Sequence, residues 1–122
     1  MQEITVKTKG VWYGVMAYWT EVKDAACYIV RLYIGTKQER IDKNGRKLPD
    51  KITYQELACI EKDRNFKFHT FEGLGRINEI YNTSTHSWCS TNNSYYVSVE
   101  AENRTGEIIA KAEPISASII FR

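Results

Sequence analysis

The chain is 122 residues long, 43% hydrophobic and 26% charged, with 17 Lys and Arg against 15 Asp and Glu and a formal net charge of +2. That length holds one domain, residues 1–122, with no room for a second independent core. The composition excludes a disordered chain, and so small a charge excess excludes the footprint of a nucleic-acid or anionic-membrane binder.

The N-terminal stretch MQEITVKTKG has neither the basic nor the apolar region of a signal peptide. Apolar runs fall far short of the ~20 residues that span a bilayer. Cys27, Cys59 and Cys89 form an odd set, which reads as three reduced thiols rather than a disulfide framework. The expectation is a complete gene product made in the cytoplasm.

Strand signals dominate in chain order. Ile4 and Val6 alternate with Glu3, Thr5 and Lys7 over residues 3–8. Over 11–20, period two puts Tyr13, Val15, Ala17 and Trp19 on one face. Lys23-Asp24-Ala25 reads as a turn. Tyr28, Val30, Leu32 and Ile34 then share a face, with Gly35 ending the run. The polar, basic segment 36–51 carries Asn44-Gly45 between Ile41 and Leu48, the turn signal of a hairpin. Its Asp42-x-Asn44-Gly45 lacks the ligand ladder of a calcium loop. Thr53-x-x-Glu56 fits a capping box for a short helix over 53–62, with a strand as the competing reading. Phe66, Phe68 and Thr70 alternate with Lys67, His69 and Phe71 in a strand ending near Gly73-Leu74, with His69 on its outer face. Residues 75–93 are rich in Asn, Ser and Thr and read as a loop, with a turn or two of helix over 75–81. The clearest strand follows, with Tyr95, Val97, Val99 and Ala101 alternating against Tyr96, Ser98, Glu100 and Glu102. After the Asn103–Gly106 turn, Ile108–Ala112 and Ile115–Phe121 complete the strands around Pro114. About seven short strands with regular turns predict an all-β, seven-stranded Greek-key β-sandwich.

Several of these runs resemble a fibronectin type III domain. SYYVSVEAENRTGE is similar to that family's F strand and FG loop, through Tyr95, Val97, Val99, Ala101, Asn103 and Gly106. AKAEPISASI resembles its G strand, and AYWTEVKDAACYIVRLYI its strand B, BC loop and strand C. The resemblance implies that Trp19 is the core tryptophan, that Tyr28 opens strand C and that Leu74 closes strand E. It also makes Tyr95 a tyrosine-corner residue whose hydroxyl bonds back to backbone before strand F. Two segments depart from the family: 36–65 lengthens the C–E connection, and 75–93 the E–F connection. The Arg-Gly-Asp adhesion tripeptide is absent, and the FG loop carries Arg104-Thr105-Gly106-Glu107 instead.

Catalytic signals are weak. Of the two histidines, only His86-x-x-Cys89 has ligand-like spacing and could bind zinc with Cys59 or Cys27, but a zinc site usually shows two close ligand pairs and this chain shows one. Gly73-x-Gly75 is an isolated turn match rather than a phosphate loop. Asn82, Asn92 and Asn103 match the glycosylation pattern in polar loops and are read as chance. The expectation is a non-catalytic protein without metal or cofactor. Aromatic residues remain that a sandwich core does not need: Trp12, Tyr33, Tyr81, Trp88 and Tyr96. Trp12, Tyr81, His86 and Trp88, with Arg46 and Lys47 of the basic hairpin and Arg104, are the candidate partner-binding residues. By analogy, a single such domain made in the cytoplasm suits a larger assembly, such as a phage virion, as a capsid-decoration or tail-associated protein. The competing expectation is a carbohydrate- or cell-surface-binding module using exposed aromatics.

Overall fold

The structure, a computed structural model, describes residues 1–120. Ten strands follow one another: β1 (Val6–Val11), β2 (Gly14–Trp19), β3 (Cys27–Ile41), β4 (Lys47–Asp63), β5 (Phe68–Phe71), β6 (Glu79–Asn82), β7 (Ser87–Ser90), β8 (Asn93–Glu102), β9 (Ile108–Lys111) and β10 (Ile115–Ala117). The described residues contain no helix. Three antiparallel sheets result. The first has the order β1-β2-β5, the second β10-β8-β3-β4 with β9 also on β8, and the third is the β6-β7 hairpin.

The two larger sheets share one core, the arrangement of a β-sandwich. Val15, Ala17, Trp19 and Phe71 face it from the first sheet, and Tyr28, Val30, Leu32, Tyr95, Val97, Val99 and Ala101 from the second. Period-two alternation produces this directly, because every second side chain of β3 and β8 points inward. The β8 register opposite β3 sets Leu32 against Val97, Val30 against Val99 and Tyr28 against Ala101. Trp19 packs on Tyr28 with ring centroids 5.5 Å apart, so the expected core tryptophan is in place. The Tyr95 hydroxyl donates to the Gly75 carbonyl at 2.7 Å, the expected bond back to backbone before β8. One lateral side is stitched shut. Gln2 bridges to Ala110 and Trp12 to Ile120, both in parallel pairing.

The structure corrects several readings. Tyr13 does not join the inward set of β2; it sits in the β1–β2 turn at φ +50° and is exposed. Gly35 does not end the third strand, which runs on to Ile41. Its missing Cβ makes room for the Tyr96 ring, because an added Cβ would lie 2.3 Å from Tyr96 Cε1. Residues 53–62 are strand, not helix: β4 pairs with β3 along its length, with register shifts between Leu32 and Tyr33 and between Gln38 and Arg40. The capping-box pattern loses to the tertiary ladder, which Ile52, Thr53 and Tyr54 favour by propensity. The short helix over 75–81 is also absent, and 79–90 forms β6 and β7. In β5 the phase is inverted. Phe71 is buried, Phe66 and Phe68 are exposed, and His69 shares the Phe71 face with ring centroids 4.6 Å apart. Burial, with help from the Lys62 charge, lowers the His69 pKa. The last strand expected, over 115–121, is β10 to Ala117, and Phe121 lies outside the described residues.

Candidate interaction site at one pole

The two lengthened connections become two projections. β3 and β4 run past the sandwich as a two-stranded arm, exposed on nearly all residues from Thr36 to Lys51. Six residues of strand beyond Gly35 give the arm a reach of about 20 Å. Its tip is the expected turn: Gly45 N–H donates to Asp42 O at 3.0 Å with Gly45 at φ +80°. The Asp42 carboxylate also accepts from Asn44 N and Arg46 N. Arg46 and Lys47 therefore stand at the far end of the arm.

The second projection is the β6-β7 hairpin. Its register sets Tyr81 opposite Trp88, with centroids 5.4 Å apart. The Arg76 guanidinium lies 5.0 Å from the centre of the Trp88 ring and pairs with Glu79 at 3.5 Å. Asn82 Oδ1 accepts from Ser84 N, and His86 sits in the turn at φ +52°. Every residue from Ile80 to Ser90 is exposed, and Trp88 is 56% exposed. A lone two-stranded hairpin is marginal in water, and an aromatic pair adds only about 0.5–1.5 kcal/mol. Its root is anchored better, through Thr91 N–H to Asn78 O at 2.8 Å.

Both projections leave the same end of the sandwich. Lys37 N–H donates to Asn92 O at 3.0 Å, which ties the arm to the strand leaving the hairpin. Leu74 N–H donates to Tyr13 O at 2.8 Å, which brings the Trp12–Tyr13 turn to the strand entering it. Trp12, Tyr81, His86, Trp88, Arg46 and Lys47 thus belong to one pole. Arg104 does not. It lies in the β8–β9 loop at the opposite pole, beside Asp24, Asp63 and Arg64 on an open cleft of about 650 Å³.

The sequence reading missed three features. Arg76 caps the hairpin aromatics, and its spacing from Trp88 becomes meaningful only once the hairpin folds back. Tyr54 joins Tyr33 and Tyr96 on the outer face of the second sheet, with centroids 5.6 Å and 5.2 Å from its own. A helical reading of 53–62 hides this. Cys27, Glu61 and Glu102 come from three neighbouring strands, and their ligand atoms lie within 4.8 Å of one another. His86 and Cys89, which the sequence paired by spacing, lie instead on the exposed hairpin.

At that cluster the Cys27 thiol donates to Glu102 Oε2 at 3.6 Å. Burial, then the Glu61 and Glu102 carboxylates, push its pKa up to about 12. The folded protein then keeps a proton that the unfolded chain, at the ordinary value of 9.0, gives up. Stability from this group is complete below pH 9 and declines as pH rises from there toward 12. The thiolate is the nucleophile. Alkylation of the native protein at pH 8, read by mass spectrometry, is therefore expected to modify exposed Cys59 and Cys89 first. Cys27 should lag well behind its own rate in denatured protein, because burial and the two carboxylates disfavour its thiolate.

No helix among the described residues is long and apolar enough to cross a membrane. The chain matches no protein-family model and no curated protein.

Proposed function

We propose that the chain is a non-catalytic interaction module of the fibronectin type III kind, which attaches to a larger protein assembly through its projecting pole. The fold part of this reading rests on strand order. Strands β1, β2 and β5 take the places of A, B and E, and β10, β8, β3 and β4 those of G, F, C and C′. With β9 and β10 as two halves of strand G, seven strands frame the core and the β6-β7 hairpin is an addition.

One observation carries the functional part: an aromatic pair, Tyr81 and Trp88, is held together on a hairpin that has no core of its own. Aromatic anchors of this type dominate binding energy at protein interfaces. The basic tip of the arm, which leaves the same end of the sandwich, favours an acidic partner surface, and a phage virion is the assembly the sequence favours. The test is co-sedimentation from a native-source lysate, comparing wild type with Trp88→Ala and Tyr81→Ala. Wild type is expected in the megadalton fraction, and each variant is expected to weaken attachment by at least tenfold, or about 1.4 kcal/mol. Thermal melting should stay within about 0.5 kcal/mol of wild type, because both side chains are exposed and lie outside the core cluster. Attachment that survives both changes would remove the hairpin from the interface. A protein that stays at monomer size would favour the carbohydrate-binding alternative.

A further inference from the structure

The long strands β3 and β4 carry opposite charge at their two ends. Beyond the sandwich, residues 36–51 hold six basic side chains, Lys37, Arg40, Lys43, Arg46, Lys47 and Lys51, against Glu39, Asp42 and Asp50. Of these six, Arg46 alone makes an ion pair among the described residues, with Asp42 at 3.8 Å. The tip also exposes apolar surface. Ile41 is 67% exposed and lies opposite Lys47, and Leu48 is exposed opposite Arg40. Each face of the tip thus sets one apolar side chain beside one basic one.

At the other end of the same strands, the outer face of the second sheet is acidic. Tyr28, Val30 and Leu32 point into the core, so Cys27, Ile29 and Arg31 point out. Cys27 is flanked across the ladder by Asp63 on β4 and Glu102 on β8, and Ile29 by Glu61 and Glu100. Arg31 is shared between Glu100 at 2.7 Å and Glu56 at 3.1 Å. Glu61, Asp63 and Glu102 have no cation partner among the described residues, and Lys111, opposite Glu100, makes no ion pair there. Arg64 and Arg104 border the cleft next to Asp63 without pairing with any of the three. Lys62 is on the opposite face, in register with inward Tyr28 and 4.7 Å from the centre of the Phe66 ring. Burial first, and then the Glu61 and Glu102 carboxylates, raise the Cys27 pKa, as a negative patch requires. The half-buried Ile29 lies at the centre of this patch, an apolar middle inside a charged rim.

One copy cannot bring its own two surfaces together. β3 runs 15 residues from Cys27 to Ile41. The tip therefore lies roughly 45 Å along the strand from Cys27. Pairing of β3 with β4 down to Ile41 and Lys47, closed by the Asp42–Arg46 turn, holds the arm extended and away from the sandwich. Complementary charges fixed at opposite ends of one body meet only between bodies. We propose that the basic arm of one copy docks on the acidic outer face of a second copy, with Ile41 over Ile29 and the arm cations on Glu61, Asp63 and Glu102. The contact joins two different patches, so it is heterologous and propagates into a ring or a filament. It identifies the acidic surface that the arm tip favours and rests on that part of the reading above, whereas the hairpin aromatics take no part in it.

The test is sedimentation velocity of the purified protein at up to about 1 mM, above a Kd expected on the order of 100 μM. It is run in ~0.02 M salt, where the screening length is about 20 Å, and in ~0.5 M salt, where it is about 4 Å. Wild type is expected to form a concentration-dependent series of oligomers at low salt and to return to monomer at high salt. Neutralising the arm (Lys43→Gln, Arg46→Gln, Lys47→Gln) or the face (Glu61→Gln, Asp63→Asn, Glu102→Gln) is expected to weaken association at least tenfold. Mixed in equal amounts, the two variants are expected to form a dimer and stop there, because one keeps its face and the other its arm. Trp88→Ala is expected to associate like wild type. A wild type that stays monomeric at about 1 mM in low salt overturns the proposal. So does association that either neutralised variant retains or that salt strengthens, a mixture that stays monomeric, or association lost in Trp88→Ala, which would place the contact on the hairpin. The hairpin anchor is read separately, in the lysate experiment, and failure here leaves it standing.

Discussion

Tyr28→Ala is expected to cost about 3–5 kcal/mol, the range for removing a fully buried aromatic side chain. Tyr28 is 1% exposed and packs on Trp19, and its hydroxyl accepts from Val22 N–H at 3.0 Å. It therefore joins the second sheet to the first sheet's tryptophan and ties down the loop between β2 and β3. Against a total stability of about 5–15 kcal/mol, the loss leaves a marginal protein. Chemical denaturation measures it. Tyr28→Phe separates the two roles, because it keeps the ring and strands one buried amide, at a cost of about 1–3 kcal/mol. An alanine variant within about 1 kcal/mol of wild type would contradict this placement of the core.

Gly35→Val is expected to destabilise by about 2–4 kcal/mol, although valine is among the best strand residues and glycine among the worst. Propensity favours the change by at most ~1 kcal/mol. Sterics oppose it more strongly. A Cβ at position 35 would lie 2.3 Å from Tyr96 Cε1 and 2.4 Å from Cδ1, and the Tyr96 ring is only 6% exposed. The ring must leave its place across the strand, which forfeits its edge-on contact with Tyr54 at 5.2 Å and about 0.5–1.5 kcal/mol with it. Overpacking of this kind adds about 1–3 kcal/mol. The double variant Gly35→Val with Tyr96→Val should recover much of the loss, since the clash then has no second party. A double variant no more stable than Gly35→Val alone would place the cost elsewhere.

The second sheet's outer face shows how far charge and packing are coupled here. Burial works against the Arg31 charge, yet Glu100 above all keeps its pKa raised, and Arg31 also meets Glu56 at 3.1 Å. Glu100 and Ser98 are buried although they point away from the core, because Arg31, Tyr33, Tyr54 and Tyr96 form a second layer over them. This explains why β8 is buried on both faces while its sequence alternates as if one face were wet.

The sequence by itself determined the parts governed by local periodicity and turn chemistry. Val97, Val99 and Ala101 point inward because period two leaves them no other face, and Asn44-Gly45 turns the arm because glycine accepts φ +80° without strain. The anchoring of Tyr95 was implied only by the resemblance of residues 94–107 to a fibronectin type III F strand, and the hydroxyl does reach Gly75 O. Tertiary structure decided whatever depended on a neighbour remote in the chain. Residues 53–62 carry helix and strand signals of similar weight, and only the fourteen-pair ladder with β3 resolves them. The β5 phase was ambiguous because aromatic residues occupy both faces, and pairing of His69 with Ala17 chose the inward one. The pole of Trp12, Tyr81 and Trp88, and the acidic face around Cys27, join residues from strands far apart in sequence. No local pattern encodes such meetings, because the free energy that selects them arises only when the sheets close on one another.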